Sequence, residues 1–397
     1  MTAQRLSNQR PALHTRRRGQ RARLELVIVA AVVVIALTLC VSTALALIRP
    51  SAPRTHRVHM TTNTTPRTVL LAEQIRAEGA HHHLDIVLTA REYGTLDALE
   101  EVDSPSEIKF ALVVGGVTTR DYPHVRTVTA LAKEHLHLLV KRGLADKGIS
   151  GLRGKRIALG PSTTASYHIA RDVLNFVGLL PSVETKGAGY GIDSMTPLEA
   201  LREMARIESL AEPERAEAVA RLPDAVMILA PLPSPFVRQL VTGFGYKLVQ
   251  LPFAEAYELD RLNPPSAEGV RIDRSMLTPG VIPAYIYGSD PAEPAKECPT
   301  ICAPLILLAQ DDADPDAVSF LLETIYDTPL ANAMRPPALN EQVNPFPRHA
   351  GTERYLHRKD PVLTPEVAFN ACQIGRRHCL LPVGRDRALR LPSPPQD

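Results

Sequence analysis

The stretch Leu26–Ile48 is an uninterrupted apolar run without a charged residue. As an α-helix it would be about 34 Å long, which is enough to cross the hydrocarbon core of a bilayer. Seven arginines precede it, and Glu25 is the only acid among them. The positive-inside bias therefore predicts a basic cytoplasmic head at 1–25, a single-pass anchor at 26–48 in the cytoplasmic (inner) membrane, and an extracytoplasmic body after it.

The alternatives to an anchor are a cleaved signal peptide and a buried core helix. Ala44–Ala46 offers the small residues of a signal-peptide cleavage site, but the run is longer than the usual h-region of about 7–15 residues. A buried core helix is disfavoured because the run lacks a polar stripe. We therefore expect an uncleaved anchor, and cleavage near Leu47 is the open alternative.

The composition indicates one folded body behind the predicted anchor. The formal net charge is +2 with the arginine-rich head included, so the exported part is nearly neutral. No Lys/Arg cluster with interleaved aromatic residues follows the head, which argues against a nucleic-acid surface. The stretch 361–397 is rich in proline and arginine and is predicted to be a C-terminal extension.

Apolar strand patterns alternate with helical patterns along the exported part. Strands are predicted at 57–62, 84–89, 109–114, 137–140, 156–159, 224–229, 248–251 and 303–308. Helices are predicted at 65–79, 96–102, 165–177, 197–221 and 314–326. Such alternation predicts an α/β fold with parallel sheets built from right-handed βαβ units.

The segment Leu152–Ser166 predicts a strand that enters a hydroxyl-rich turn and then a helix. The first N–H groups of a helix lack partners within it, and the helix dipole favours an anion there. Hydroxyl donors in this turn come from Ser162, Thr163, Thr164 and Ser166. The alternative is that one hydroxyl, from Ser162 or Thr163, simply caps the helix. The turn is not a P-loop, because GxxxxGK[ST] is missing.

Five segments in a fixed order carry a resemblance to a known family. They read KFALV at 109–113, LRGKRIALGPSTTAS at 152–166, APLPSPFV at 230–237, GVIPAY at 280–285 and HAGTERY at 349–355. They resemble DFALV, DLRGKR…GPxGSGT, AGYPNPAV, GTIPAGTY and HPGAxRYY of the TAXI family, the extracytoplasmic solute-binding subunits of TRAP transporters. The resemblance covers roughly residues 57–356.

The resemblance implies a two-lobed α/β periplasmic-binding-protein type II fold, with crossing strands between the lobes and the ligand in the cleft. Lobe one is expected at 55–145 plus 280–356, and lobe two at 150–255. It also implies a protein without enzymatic activity or cofactor, which captures a small anionic solute, a carboxylate or an amino acid. The solute would be delivered to TRAP-type permease subunits.

The predicted ligand-binding residues combine the hydroxyl-rich turn with the family's cleft loops. They are Asn63, Thr64, Ser162, Thr163, Thr164, Ser166, Pro231, Ser234 and Tyr285. The family's Gly-Ser-Gly-Thr turn falls on Thr163–Ser166 without either glycine, and the loops at 62–66 and 114–117 also depart from the family pattern. A second hypothesis follows from these changes: a degenerate binding-protein module with a sensory or structural role. No metal site is predicted.

The four cysteines of the exported part lie in a compartment where disulfides persist. They form two pairs, Cys298/Cys302 and Cys372/Cys379. Two local disulfides, one long bridge between the pairs, and four free thiols are all compatible with this spacing. Zinc is disfavoured because neither pair has knuckle spacing.

Overall fold

The computed structural model describes residues 31–39, 55–63, 65–91, 94–180, 195–260 and 269–360. Residues 31–39 are helical with exposed side chains, and the chain from His56 onward forms a separate compact unit. Within the described residues, no helix is both long and apolar enough to span a bilayer. The predicted head, most of the predicted anchor, Thr64 and the C-terminal extension lie outside the described residues.

The compact unit alternates strands and helices. Its strands are β1 His56–Asn63, β2 Leu84–Arg91, β3 Phe110–Val114, β4 Val117–Thr118, β5 Val125–Lys141, β6 Ile157–Ala158, β7 Ala225–Ala230, β8 Tyr246–Val249, β9 Arg271–Ile272, β10 Thr278–Ile282, β11 Gly288–Ser289, β12 Ala292–Glu293 and β13 Cys298–Gln310. Its helices are α1 Pro66–Gly79, α2 Thr95–Asp103, α3 Ala165–Phe176, α4 Pro197–Glu208, α5 Glu214–Arg221, α6 Pro235–Phe244, α7 Ala254–Leu259, α8 Pro315–Tyr326, α9 Leu330–Met334 and α10 Ala350–Leu356.

The predicted helix at 197–221 is two helices, α4 and α5. A capping box starts α4: Glu199 N donates to Thr196 Oγ1, and Thr196 N donates to Glu199 Oε2. The helical run cannot continue smoothly through Pro213, because proline has no N–H and its ring clashes with the preceding turn. The single long helix was therefore a wrong prediction, since the periodicity continued across the proline.

The main sheet has the order β2-β1-β3-β13-β5-β7-β6, with β10 paired to β13 and β8 to β5. Parallel pairing, as predicted, joins β1 to β2, β1 to β3 and β6 to β7. In the centre the prediction was wrong: β13 is antiparallel to β3 and β5, and β5 is antiparallel to β7 and β8. The centre differs because β5 and β13 run between the two halves of the sheet in opposite directions.

The two long strands connect two lobes. The first part of β5 pairs with the last part of β13, beside β3, in lobe one. From His135 onward, β5 pairs with β7 and β8 in lobe two. The early part of β13 pairs with β10 on the same side. These crossing strands confirm the expected two-lobed α/β fold of the periplasmic-binding-protein kind.

Each lobe has its own hydrophobic core. In lobe one, Val58 and Leu321 belong to a cluster between the sheet and its helices. In lobe two, Leu240 and Tyr246 share a cluster with Ile282. A fully buried aliphatic side chain of this kind contributes about 1.5–3 kcal/mol. The start of the range 280–356, expected in lobe one, thus packs on lobe two, because β10 and the beginning of β13 precede the crossing.

Cys298 and Cys302 are buried free thiols. Both lie on β13, where four residues of extended strand separate the Cα atoms by about 13 Å. A disulfide requires Cα atoms closer than about 7 Å, so the local bridge between these two cysteines was a wrong alternative. Cys372 and Cys379 lie outside the described residues.

Candidate functional site: the cavity between the lobes

A cavity lies between the two lobes, where β1, β3 and α2 of lobe one face α3 and β7 of lobe two. Its volume is about 80 Å³. Such a space suits a small solute, since sites for drug-sized ligands measure roughly 300–1,000 Å³. Its described lining consists of Asn63, Thr65, Gly94, Thr95, Val114, Glu134, Leu159, Gly160, Pro161, Thr164, Ala165, Ser166, Met195, Thr196, Pro197, Ile228 and Leu229.

The lobes touch beside this cavity. Leu96 N, in the first turn of α2, donates a hydrogen bond to Thr163 O at 3.4 Å. A Cβ atom placed on Gly94 would lie only 2.1 Å from the same carbonyl oxygen. Because only a residue without a side chain fits this contact, the structure shows the two lobes closed on each other.

The turn before α3 supplies the lobe-two side of the cavity. Thr164 Oγ1 accepts from Tyr167 N at 3.2 Å and donates to Pro161 O at 2.7 Å, so this hydroxyl caps the helix. Ser162 and Thr163, the predicted caps, do not fill that position. Ser166 Oγ accepts from Leu229 N at 2.9 Å, and its proton is not bonded to any described residue. Ser166 therefore retains a donor for a ligand.

Lobe one contributes an amide and a hydroxyl. Asn63 Oδ1 accepts from Thr65 N at 3.0 Å, which closes the turn between β1 and α1. The Asn63 NH₂ group has no bond to a described residue. Thr95 Oγ1 donates to Val114 O at 3.2 Å and so ties the start of α2 to the end of β3. The cavity thus holds polar groups from both lobes.

Glu134 is the only charged side chain among the described lining residues. It lies in the middle of β5 and is 5% exposed. Its carboxyl group forms no hydrogen bond or salt bridge with a described residue. Burial raises the pKa of Glu134 to about 8, and the positive charge of Arg67 acts in the opposite direction. Arg67 itself is exposed, at the start of α1.

The structure brings three of the predicted binding residues to the cavity: Asn63, Thr164 and Ser166. The others with described positions are absent from its described lining: Ser162, Thr163, Pro231, Ser234 and Tyr285. Thr64 lies outside the described residues. The binding role of all these residues stays a prediction.

Two of the predicted residues that do not line the cavity, Ser234 and Tyr285, have defined positions elsewhere in the structure. Ser234 Oγ accepts from Val237 N at 3.4 Å and caps α6, and Ser234 N donates to Tyr287 Oη at 3.3 Å. The side chain of Tyr285 is 61% exposed, on a backbone with φ of 65°. Its family match indicated the cleft, but the chain turns this side chain outward next to lobe two.

Sequence reasoning missed Glu134, Thr95, Gly94 and Thr196 as lining residues. The sequence does contain a signal for Glu134, because it is the single acid in the strand Val125–Lys141. Gly94 and Thr95 offer no comparable signal. Their place in the site depends on how the two lobes meet.

Three solved structures illustrate what the chain is similar to in outline. The effector-binding domain of BenM with benzoate shares 16% identity, over 72% of this chain and 98% of that chain, with a TM-score of 0.39. The arginine-, lysine-, histidine-binding protein ArtJ from Geobacillus stearothermophilus shares 11%, over 70% and 94%, with a TM-score of 0.38. The alkanesulfonate-binding protein SsuA from Xanthomonas axonopodis pv. citri, bound to MOPS, shares 13%, over 84% and 96%, with a TM-score of 0.36.

Sequence comparison gives the family. No curated protein matches the chain. Residues 116–359 match the family model described as the NMT1-like family, and this match covers more than half of the 397 residues. It includes the crossing strands, the turn before α3 and all of lobe two. The chain therefore belongs to the NMT1-like family.

Proposed function

We propose that the protein is a solute-binding protein that captures a small carboxylate or amino acid between its lobes, without converting it chemically. The observation that carries this proposal is the cavity itself, which two lobes on a pair of crossing strands enclose with polar groups from both sides. Ligand capture by closure of two domains around a cleft is a known use of such hinges.

Closure would complete the site. In an open form the contact between Leu96 N and Thr163 O is broken, and a solute can reach the turn before α3. When the lobes close, the helix N-terminus meets one end of the solute, because its first amides and its dipole favour a carboxylate. Asn63 and Thr95 then face the solute from lobe one.

Delivery to a membrane transporter is part of the same proposal. The ordered TAXI motifs support TRAP-type permease subunits as partners, and the apolar run Leu26–Ile48 supports an anchor in the cytoplasmic membrane with the lobes outside. An anchored binding protein would present its closed lobes to a permease in the same membrane. Tryptic peptides containing Arg16–Arg18, recovered from the mature membrane-bound protein, would support the uncleaved anchor.

The first test measures ligand-induced stabilisation of the full-length protein in detergent. The panel contains dicarboxylates, 2-oxo acids and amino acids. A true ligand at 100 times its dissociation constant raises the free energy of unfolding by about 2.7 kcal/mol. A cooperative melt that no compound shifts would contradict solute capture and favour the sensory or structural hypothesis.

A variant pair tests the hydroxyl that lines the cavity. Ser166→Ala removes a donor aimed at the ligand, and a hydrogen bond of this kind contributes about 0.5–1.5 kcal/mol, so we expect roughly 2- to 10-fold weaker binding by calorimetry. Ser162→Ala is the matched control, since Ser162 is exposed in the same turn and away from the lining. Equal effects of both substitutions would contradict the assigned position of the ligand.

A further inference from the structure

We propose that Glu134 recognises the ammonium group of the ligand, so that the captured solute is an amino acid or another small zwitterion. The inference rests on the proposed function and chooses between the two solute classes named there. The middle of β5 then determines the specificity of the site together with the helix N-terminus of lobe two.

The carboxyl group of Glu134 belongs to the part of the sheet where the two long strands pair. Glu134 is opposite Ala303 in the pairing of β5 with β13, where the two strands pass between the lobes. Its side chain is 5% exposed and faces the cavity. Buried polar groups are nearly always hydrogen-bonded, and a buried charge without a partner is strongly unfavourable. No described residue bonds this carboxyl group, and it faces the cavity, so it is placed to bind a ligand there.

The other end of the cavity is formed by the first turn of α3. Tyr167 N bonds to Thr164 Oγ1, and His168 N bonds to Thr164 O. The amides of Ala165 and Ser166 have no bond to a described residue, and both residues line the cavity. A carboxylate fits these amides. A zwitterion can therefore place its carboxylate at α3 and its ammonium group at Glu134.

Apart from Glu134, the described lining of the cavity is uncharged. The elements that meet at the cavity contribute uncharged side chains from their described residues: Asn63 from β1, Thr95 from α2, Val114 from β3, Ser166 from α3 and Ile228 from β7. The cation acting on Glu134 is Arg67, which is exposed and does not line the cavity. A second carboxylate on the ligand would meet Glu134 without a cation among the described lining residues to offset the repulsion.

Binding of an ammonium group has a defined proton balance. Burial raises the pKa of Glu134 to about 8 in the closed, unliganded protein, so at pH 7 the carboxyl group is mostly protonated. The ammonium ion favours the ionised form. The ligand keeps its own proton, and binding to this closed form displaces close to one proton from Glu134 to the solvent. Binding to an open form, where the carboxyl group is solvated and already ionised, displaces none.

The opposing arrangement is a protonated Glu134 that donates to a carboxylate of the ligand. That arrangement releases no proton at pH 7 and takes one up at pH 9, where Glu134 of the free protein is mostly ionised. Calorimetry in two buffers with different ionisation enthalpies separates the two arrangements, because the apparent binding enthalpy then reports the number and direction of the protons exchanged.

The experiment compares two matched ligand pairs on the full-length protein: L-alanine with pyruvate, and L-glutamate with 2-oxoglutarate. We expect at least one amino acid to bind at least tenfold more tightly than its 2-oxo partner, without proton uptake at pH 7. Glu134→Gln should weaken that binding tenfold or more and reduce the preference over the 2-oxo acid. Glu107→Gln, which changes an exposed carboxylate before β3, should leave both unchanged.

The outcomes separate this inference from the proposed function. Binding of 2-oxo acids as tight as that of amino acids, or uptake of close to one proton at pH 9 when an amino acid binds the wild-type protein, would overturn the role of Glu134 and leave solute capture intact. The proton count of the wild-type protein at pH 9 decides the question even if Glu134→Gln does not fold. Absence of binding by all four ligands, in a folded protein, would contradict both.

Discussion

At the scale of single residues, the cavity combines groups that serve the fold with groups that remain available. The hydroxyl of Thr164 is used in full by the cap of α3, whereas Ser166 has an uncommitted proton. Glu134 is the extreme case, because it is buried without a bonding partner among the described residues. Such a group lowers the stability of the unliganded protein whenever it is ionised.

Glu134 gives a prediction for the dependence of stability on pH. The pKa of this group is raised from 4.5 in the unfolded chain to about 8 in the folded protein. Between pH 4.5 and about 8 the folded protein binds more protons than the unfolded chain. The contribution of Glu134 to the free energy of unfolding therefore falls as the pH rises through this window. Glu134→Gln removes the dependence. We expect the melting temperature of the variant, minus that of the wild type, to increase from pH 5 to pH 8 and to level off above pH 9.

Thermal melts in overlapping buffers without ligand provide the measurement. The other titrating groups are common to both proteins and cancel in the difference. Glu107→Gln should give a difference that is flat across the same range, because Glu107 is exposed. A flat difference for Glu134→Gln as well would show that Glu134 is solvated in the folded protein.

At the scale of elements, a buried ion pair holds the far side of lobe two together. Arg274 Nε and Nη2 donate to the two carboxylate oxygens of Asp172 on α3, at 2.9 and 3.1 Å. Arg274 Nη1 donates to Asp260 Oδ2 at 2.5 Å, and Tyr257 Oη donates to Asp172 Oδ2 at 2.7 Å. The network joins α3, α7 and the turn at 274–276, and so fixes the helix whose N-terminus faces the cavity.

Two arginines three positions apart test this network. Arg274→Ala leaves the buried Asp172 carboxylate without its cationic partner, and we expect a loss of about 3–5 kcal/mol in the free energy of unfolding, measured by denaturant titration. Arg271→Ala breaks only the exposed pair with Asp121, whose side chains are 48% and 92% exposed, and should cost less than about 1 kcal/mol. Similar losses for both variants would mean that the network at Arg274 is solvated.

Element by element, the sequence predicted the short outer strands well, and the amphipathic helices well apart from the run at 197–221, which is two helices. The strand at 57–62 is β1, and the helix at 165–177 is α3 within one residue. The lengths of the two long strands were predicted too short: β5 was predicted only at 137–140 and β13 only at 303–308. Polar residues such as Glu134 interrupt the apolar pattern where the strands pass the cavity, so local periodicity ended there although the sheet continued.

At the scale of the whole molecule, the proposed ligand capture depends on how closely the lobes approach. The lobes approach closely at Gly94, where a Cβ atom would be 2.1 Å from Thr163 O. The φ of Gly94 is −93°, which alanine adopts readily, so a substitution there acts through the contact between the lobes and not through local strain.

Gly94→Ala should therefore favour the open form. Overpacking of this kind costs about 1–3 kcal/mol, which corresponds to roughly 5- to 150-fold weaker ligand binding if the cost falls only on the closed form. Calorimetry gives the affinity, and small-angle scattering with and without ligand gives the compaction. Gly143→Ala is the control, because no atom lies within 4 Å of its Cβ position. Unchanged affinity and compaction in Gly94→Ala would contradict closure at this contact.

The sequence by itself determined the alternation of strands and helices, the helix that opens at Ala165, and the ordered motifs that imply two lobes. These features are local, since hydrophobic period, caps and turns act over a few residues. Only the tertiary structure decided that β5 and β13 are shared by both lobes, that Gly94 meets Thr163, and that Glu134 faces the cavity. Those contacts join residues distant in the chain, and burial, which gives Glu134 its chemistry, exists only once the lobes have packed.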